Sequence, residues 1–292
     1  MNTRTCDSRA DGPVVVGTDG SAGAERALVW AAQEAALRRQ PLRIVHATDV
    51  DAMAGRLSDD TFRLVLESAQ SLVDEASKLT SNRVTGLQVT TEVSRKPAAM
   101  SLLRAAGEAG TIIVGSRGLG GFSSLLLGSV GLRVAGHANG PVVVVRGTER
   151  PEAGVVVVGV RDEDDLDAVR FAGETARRRK ASLRLLSAWS FVQYLESMTP
   201  VPDAVRAAAE AEAAASSGML GSIRAEFPDL PVTESVVRVP SPAGELVAAS
   251  FQADLLVVGT RRPTHAMGAA LGRVTHAVLH HAHCPVAVIP RR

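Results

Sequence analysis

The sequence predicts an α/β protein made of two tandem doubly wound domains, each built on a five-stranded parallel sheet. The first observation is an internal duplication, because residues 111–146 and 255–291 share one pattern of apolar runs and glycines. The second is the length, since 292 residues suit two domains of about 140 residues each. The third is the alternation of short β-branched runs with helical stripes, which is typical of strands joined through helices.

Short apolar runs predict the buried strands of the first repeat, and a more polar, alternating run predicts one strand nearer the sheet edge. Helical stripes separate these runs. The first helix is expected to end at Arg38 and Arg39, before Pro41, and Pro97 is expected at the first position of the third helix. The predicted strands are Val14–Val16, Leu42–Ala47, Leu87–Val93, Ile112–Val114 and Val142–Val145.

The second repeat has the same order of elements, with a long alanine-rich helix, Ala204–Ser217, before its third strand. Residues 147–153 are polar and contain a proline, which is typical of a linker. We therefore expect a tail over residues 1–12, a first domain over 13–146 and a second over 154–292. The strands expected in the second domain are Val155–Val158, Leu183–Leu186, Val232–Val239, Leu255–Val258 and Val286–Ile289.

Composition excludes several classes of function. The net charge is +1 and aromatic residues make up 3%, which argues against a general nucleic-acid binder. No apolar run approaches the roughly 18 residues of a membrane span, and the N-terminus lacks the apolar stretch of a signal peptide. Two cysteines, Cys6 and Cys284, do not make a disulfide framework. The sequence therefore predicts a cytoplasmic protein with no membrane association.

A glycine pattern follows the fourth predicted strand of the first repeat. Gly115, Gly118 and the pair Gly128-Ser129 have the spacing G-x2-G-x9-G-S. Glycines let backbone N–H groups approach an anion, and the last pair opens a helix whose N-terminus favours phosphate. The pattern predicts a phosphate cradle, although a glycine-rich turn can also serve tight packing alone.

The end of the first predicted strand is the second part of the expected site. Ligands of doubly wound sheets bind beyond the carboxyl ends of strands, where the strand order reverses. If the first and fourth strands are neighbours, Thr18 and Asp19 face the glycine pattern across one crevice. The alternative is that Asp19 and Ser21 only cap the first helix.

Several segments together resemble the universal stress protein family. They are VVVGTDGS, LRIVHATDV, VGSRGLGGF followed by LLLGSVG, and HANGPVVVV, and the resemblance covers nearly the whole chain as a tandem pair. It implies Rossmann-like domains of the adenine nucleotide alpha hydrolase type, ATP with Mg²⁺ as cofactor, and a nucleotide-dependent regulator of the stress response with an unidentified protein partner. It also implies a homodimer through sheet edges, since the family pairs domains through the strands that correspond to Val142–Val145 and Val286–Ile289.

The resemblance also implies roles for individual residues of the first repeat. Asp19 would contact adenosine, and the backbone of Ala47 would meet adenine, while the glycine pattern would hold the phosphates with help from Arg117. The nucleotide-binding set expected in full is Thr18, Asp19, Ala47, Val114, Gly115, Arg117, Gly118, Gly128, Ser129 and Val130.

The second repeat keeps glycines at 259 and 272 but loses the rest of the pattern. Arg161 stands where the first repeat has Asp19, Arg262 where it has Gly118, and Arg273 where it has Ser129. We expect this copy to bind no nucleotide. The three arginines are either solvated or internally paired, or they bind a different anion.

No catalytic constellation can be assigned, so we expect a binding protein with no catalytic residues. The first turn is not G-x-G-x-x-G, and the Walker-type loop is missing from the sequence. A nucleotide-independent interaction scaffold and a slow ATPase remain as alternatives. His276 and His280 have the i, i+4 spacing of zinc ligands, but no cysteine or carboxylate completes a four-ligand set, and no metal site is expected.

Overall fold

The computed structural model describes residues 12–53, 55–119, 127–147, 152–190, 202–260 and 271–291. The chain divides into two compact units at the bond between Val145 and Arg146. Most of the predicted linker, and nearly all of the predicted N-terminal tail, lie outside the described residues. The domain boundaries therefore stay predictions.

The first unit is a parallel sheet in the strand order β3-β2-β1-β4-β5. The order reverses between β1 and β4, which are neighbours with Val14 in register with Thr111. The strands are β1 Val14–Gly17, β2 Leu42–Ala47, β3 Val89–Ser94, β4 Thr111–Gly115 and β5 Val142–Val145. This confirms the doubly wound fold predicted for the first repeat.

Helices cover both faces of this sheet. On one face α1 contacts α2, and on the other α3 contacts α4. They are α1 Ala22–Arg38, α2 Asp59–Arg83, α3 Ala98–Ala106 and α4 Ser129–His137. As predicted, α1 ends at Arg38, with Arg39 in the left-handed conformation that closes a helix. The prediction for Pro97 was wrong by one position. Pro97 is the N-cap that precedes the helix, because its ψ of 141° is extended and not helical. Its carbonyl oxygen accepts the Ser101 N–H.

The second unit repeats this plan in the order β8-β7-β6-β9-β10. Its strands are β6 Val155–Gly159, β7 Ser182–Trp189, β8 Val232–Arg238, β9 Leu255–Thr260 and β10 Val286–Pro290. Its helices are α5 Leu166–Arg179, α6 Pro202–Glu226, α7 Pro242–Ala249 and α8 Arg273–His281. The predicted alanine-rich helix is therefore present, and it extends beyond Ser217.

The central strands of both units are buried on both faces. Val14, Val15 and Val16 of β1 are completely buried, as are Leu255 and Leu256 of β9. Continuous apolar runs have this role in parallel sheets covered by helices. The edge strands β3 and β8 are more exposed, which agrees with the alternating pattern of the third predicted strand. Within the described residues, none of the helices combines the length and hydropathy that a membrane crossing requires.

Candidate functional site

A cavity of about 330 Å³ opens at the carboxyl ends of β1 and β4, where the strand order of the first unit reverses. All ten residues that the sequence analysis proposed for nucleotide binding line it. They are Thr18, Asp19, Ala47, Val114, Gly115, Arg117, Gly118, Gly128, Ser129 and Val130. The fold thus brings the complete predicted set together, although contact with a ligand stays a prediction.

Further residues line the cavity that sequence reasoning did not assign to the site. They include Val45 of β2, Ala24 of α1, and Ala98 and Leu102 of α3. Val45 was interpreted only as part of a strand, and Ala24 and Leu102 only as parts of apolar helical stripes, which is correct but incomplete. The apolar stripe of α3 packs on β1, and its Leu102 also forms a wall of the cavity. A one-dimensional pattern gives no signal for this second role.

Packing explains why one glycine of the predicted cradle is a glycine, but it does not explain another. A Cβ added to Gly115 would lie 2.6 Å from the carbonyl oxygen of Gly23, so packing of α1 on β4 already requires a glycine there. Among the described residues, a Cβ added to Gly128 would meet only the Ser116 carbonyl oxygen, at 3.8 Å, and its φ of −75° suits any residue. Neither packing nor backbone conformation therefore explains Gly128.

The N-terminus of α4 faces the same cavity. Gly128 is the N-cap of this helix, and no side chain caps it. The first N–H groups of a helix have no partner within the helix and carry partial positive charge. Ser129 and Val130, the first two helical residues, line the cavity. This end of the cavity is suited to an anion.

Asp19 joins the two loops that frame the cavity. Its Oδ1 accepts the Ser21 N–H at 3.0 Å, and its Oδ2 accepts the Leu119 N–H at 2.8 Å. Ser21 is the N-cap of α1, and its hydroxyl accepts the Ala24 N–H at 3.2 Å. A Cβ on Gly118 would overlap Asp19 Oδ2. An added methyl at 118 thus meets the carboxylate, a contact that the glycine pattern by itself did not indicate.

The equivalent crevice of the second unit contains an internal ion pair. Asp165 stands where the first repeat has Gly23, and its carboxylate pairs with the Arg291 guanidinium at 2.5 Å. Arg291 also pairs with Asp162 at 3.0 Å. The side chains of Asp165 and Arg291 are 2% and 8% exposed, and a Cβ on Gly259 would overlap the Asp165 carboxylate. The polypeptide itself thus fills the space beside Gly259.

The ionisation of this pair reflects its burial. Burial raises the pKa of Asp165, and the neighbouring Arg291 opposes that shift. Burial disfavours the charge on Arg291, but Asp165 and Asp162 together outweigh it and raise the pKa of Arg291. Asp165 and Arg291 therefore form a buried charged pair, in which each charge stabilises the other.

The substituted arginines of the second repeat have different surroundings. The Arg161 side chain is 62% exposed and lies 3.4 Å from Asp162, which agrees with the prediction of a solvated or paired arginine. Arg273 is an exposed residue at the start of α8. Arg262 lies outside the described residues, as do residues 120–126 of the glycine-rich segment.

The histidines of α8 were the alternative metal ligands. The rings of His276 and His280 stack with their centroids 4.3 Å apart. Burial, together with the nearby His276, lowers the pKa of His280. Within the part of the chain that the structure describes, no group of three or more His, Cys, Asp or Glu side chains could hold a metal ion.

Comparison with known proteins identifies the family. The sequence model of the universal stress protein family matches residues 12–146 and, a second time, residues 153–290. The chain belongs to the universal stress protein family. The two matches confirm the resemblance and the tandem arrangement predicted from the sequence.

Relatives of this universal stress protein match it over nearly its full length. A universal stress protein of Mycobacterium tuberculosis is 32% identical over 290 residues, which cover 94% of this chain and 96% of the relative. The crystal structure of a universal stress protein from Archaeoglobus fulgidus has the same fold, with a TM-score of 0.69 at 17% identity. It covers 98% of this chain and 100% of its own.

The structure of another universal stress protein from Archaeoglobus fulgidus is known in complex with dAMP. It is 25% identical and covers 46% of this chain and 98% of its own, with a TM-score of 0.36.

Proposed function

We propose that this universal stress protein binds ATP in the cavity of its first unit and acts as a nucleotide-dependent regulator of the stress response in the cytoplasm. The observation that carries the proposal is the convergence of the ten predicted residues on one cavity at the point where the strand order reverses. Ligands of doubly wound folds bind at this point.

The two ends of the cavity suit the two parts of ATP. Ala47, Val45 and Leu102 supply apolar surface for a base, while the uncapped start of α4 and the glycine backbone supply N–H donors for phosphates. Arg117, at the edge of the cavity, adds a positive charge. Gly128 supports this assignment most directly, since neither packing nor φ requires a glycine there.

Mg²⁺ is proposed to enter the site with the nucleotide. Protein-bound Mg²⁺ is commonly held by substrate phosphates and water with few protein ligands. The residues present fit that arrangement, because the Ser129 hydroxyl lies beside the expected phosphates, whereas the described part of the chain has no metal-binding group of its own. When bound, the ion would neutralise part of the phosphate charge.

The proposed role is binding rather than turnover. The described residues around the cavity include one carboxylate, Asp19, and both of its oxygens accept backbone N–H groups. The cavity thus offers a single carboxylate as a candidate general base, and the backbone of the two loops already holds it in place. We therefore propose a sensor whose nucleotide state is read by an unidentified protein partner.

We also propose a homodimer formed through sheet edges. Light scattering would then give twice the mass of one chain.

The first test is the identity and number of the bound nucleotides. We expect nucleotide extracted from freshly purified protein to be ATP, and calorimetric titration of stripped protein to give one ATP per chain. One site is expected because Asp165 and Arg291 fill the equivalent crevice of the second unit. Two equivalent sites would contradict this assignment, and no bound ATP would favour the scaffold alternative. Conversion of bound ATP to ADP over hours would identify a slow ATPase instead.

A further inference from the structure

Two buried serines lie directly behind the apolar end of the cavity. Ser94 is the last residue of β3 and Ser101 belongs to α3, and they are 5% and 0% exposed. Their hydroxyl oxygens are 2.7 Å apart, which is the distance of a hydrogen bond. Neither serine is among the described residues that line the cavity. Any effect of this serine pair on a ligand must therefore act through its neighbours.

Ser94 connects two walls of the cavity. It is in register with Ala47 of β2, and its carbonyl oxygen accepts the N–H and the hydroxyl of Thr48 at 2.9 Å and 3.2 Å. Its own hydroxyl meets Ser101, the residue before Leu102 in α3. Ala47 and Leu102 both line the cavity. One residue thus holds the end of β2 and the start of α3 together.

The hydrogen bonds around the serine pair fit one assignment of protons. The Ser101 hydroxyl donates to the Pro97 carbonyl oxygen at 3.0 Å, as a serine in a helix can do four residues back. The Ser94 hydroxyl then donates to Ser101 and accepts the Lys96 N–H at 3.3 Å. Each buried hydroxyl has both a donor and an acceptor role in this arrangement. Because a buried hydroxyl that loses its partner is costly, the pair favours one position of α3 against β3.

A second link in this region lies at the surface. Asp51, in the turn after β2, is 3.1 Å from Lys96 Nζ and 2.8 Å from the Arg95 guanidinium. The side chains of Lys96 and Arg95 are 60% and 54% exposed. Exposed ion pairs contribute little, because water and salt screen them. The serine pair is shielded from water and is therefore the firmer connection.

The second unit has the same fold without the serine pair. Ala188 of β7 takes the place of Ala47, since each lies two residues beyond the partner of the glycine that ends the first strand of its unit. Ala188 is in register with Val237, so a valine stands where the first unit has Ser94. The sequence of α7, which corresponds to α3, has neither serine nor threonine. The fold therefore does not require the hydroxyl pair.

We infer that Ser94 and Ser101 are positioning residues, which hold α3 so that Leu102 and Ala98 stay in place as one wall of the slot for the base. This inference rests on the proposed function. A wall that is fixed before binding need not be ordered by the ligand, which raises affinity. The serine pair should therefore affect binding of the nucleoside part of ATP and leave the phosphate contacts at the start of α4 unchanged.

Comparison of AMP, ADP and ATP tests the inference. We expect Ser94→Ala and Ser101→Ala each to raise the dissociation constant about fivefold, which is typical of one lost hydrogen bond. The factor should be the same for the three nucleotides, because they share the nucleoside. A loss that grows with the number of phosphates would overturn the inference, and so would unchanged affinity for all three.

Two variants of equal shape isolate the hydroxyl group. Ser94→Thr keeps a hydroxyl, whereas Ser94→Val introduces the residue that the second unit has at this position. Both side chains are β-branched and suit a strand, so both variants are expected to fold. The threonine variant should bind AMP about fivefold more tightly than the valine variant. Equal affinities would overturn the inference.

Thr80 supplies a control for the loss of a buried hydrogen bond elsewhere in the unit. It lies in α2, is completely buried, and donates to the Ala76 carbonyl oxygen at 3.1 Å. Thr80→Val should lower the stability of the first unit, as the serine substitutions should, but change AMP affinity less than about 1.5-fold. Equal losses of affinity in Thr80→Val and Ser101→Ala would identify general destabilisation as the cause and overturn the inference.

A double-mutant cycle shows whether the serines act as a pair. Ser94→Ala/Ser101→Ala should bind AMP about as tightly as either single variant, because one shared hydrogen bond is lost in each case. Losses that multiply to about 25-fold would contradict the pair. A wild-type protein that binds none of the three nucleotides would overturn the proposed function, and the positioning role would fall with it. Tight binding that the serine substitutions leave unchanged would overturn the positioning role alone.

Discussion

Replacement of Arg291 by alanine is expected to destabilise the second unit by about 3–5 kcal/mol at neutral pH. The substitution leaves the Asp165 carboxylate, 2% exposed, without the guanidinium that lies 2.5 Å away. Removing one partner of a buried ion pair costs more than the pair contributes, because the remaining charge is stranded away from water. The Arg161 N–H, at 2.9 Å, is the backbone contact that stays.

The two tryptophans allow this loss to be assigned to one unit. Trp30 lies in α1 of the first unit and Trp189 in β7 of the second, and both are buried. In a Trp30→Phe background, fluorescence during denaturant unfolding reports on the second unit alone. In a Trp189→Phe background it reports on the first unit, which the Arg291 substitution should leave unchanged.

Two controls and a pH series sharpen the same prediction. Arg161→Ala removes an exposed arginine that lies 3.4 Å from Asp162. It should lower the free energy of unfolding by less than about 1 kcal/mol. The Asp165→Ala/Arg291→Ala double variant should recover part of the lost stability, because no stranded charge remains.

In Arg291→Ala the pKa of Asp165, already raised by burial, should rise further. The stability deficit should therefore shrink as the pH falls from neutral toward the ordinary pKa of an aspartate. A deficit independent of pH would show that lost packing, not the stranded charge, is the cause.

Replacement of Gly128 by valine is expected to raise the dissociation constant of ATP by at least about tenfold, or about 1.4 kcal/mol. The new side chain would enter the space at the start of α4, where the phosphates are proposed to bind. The backbone tolerates the change, since φ and ψ are −75° and 153° and the nearest atom to an added Cβ is 3.8 Å away. Calorimetric titration with ATP measures the effect.

The duplicated chain supplies the matched control. Gly272 is the N-cap of α8 in the second unit, with φ and ψ of −56° and 151°, and a Cβ there would meet no atom of the described residues within 4 Å. Gly272→Val therefore has the same cost in helix capping as Gly128→Val but should leave ATP affinity unchanged. Equal losses in both variants, or none in Gly128→Val, would contradict the proposed site.

Comparison of the two units shows how the same crevice is lined differently in the two copies. In the first unit Gly23 lies against Gly115, so backbone meets backbone and the space beside them stays open. In the second unit the equivalent of Gly23 is Asp165, and its carboxylate lies over Gly259. The Arg291 guanidinium then pairs with that carboxylate. The arginine substitutions noted in the sequence thus accompany a larger change that centres on Asp165.

Sequence periodicity by itself determined the fold, whereas the resemblance to the universal stress protein family supplied the ten residues proposed for the site. The predicted strands Leu42–Ala47 and Val142–Val145 agree with the structure at both ends, because the burial of a strand depends on its own apolar run. The ten proposed residues line one cavity because carboxyl ends of neighbouring parallel strands meet at the same sheet edge. Local pattern is sufficient for the strands, and general topology explains why residues proposed from the family resemblance meet at one cavity.

Only the tertiary structure decided what individual residues of the site contact. The hydrogen bond from Leu119 to Asp19 spans 100 residues, and the pairing of Arg291 with Asp165 spans 126. The different constraints on Gly115 and Gly128 likewise depend on which backbone lies opposite each Cα. Such contacts depend on distances of a few tenths of an ångström between segments remote in the chain. Residue type and spacing do not encode these distances, because they result from the packing of the whole unit.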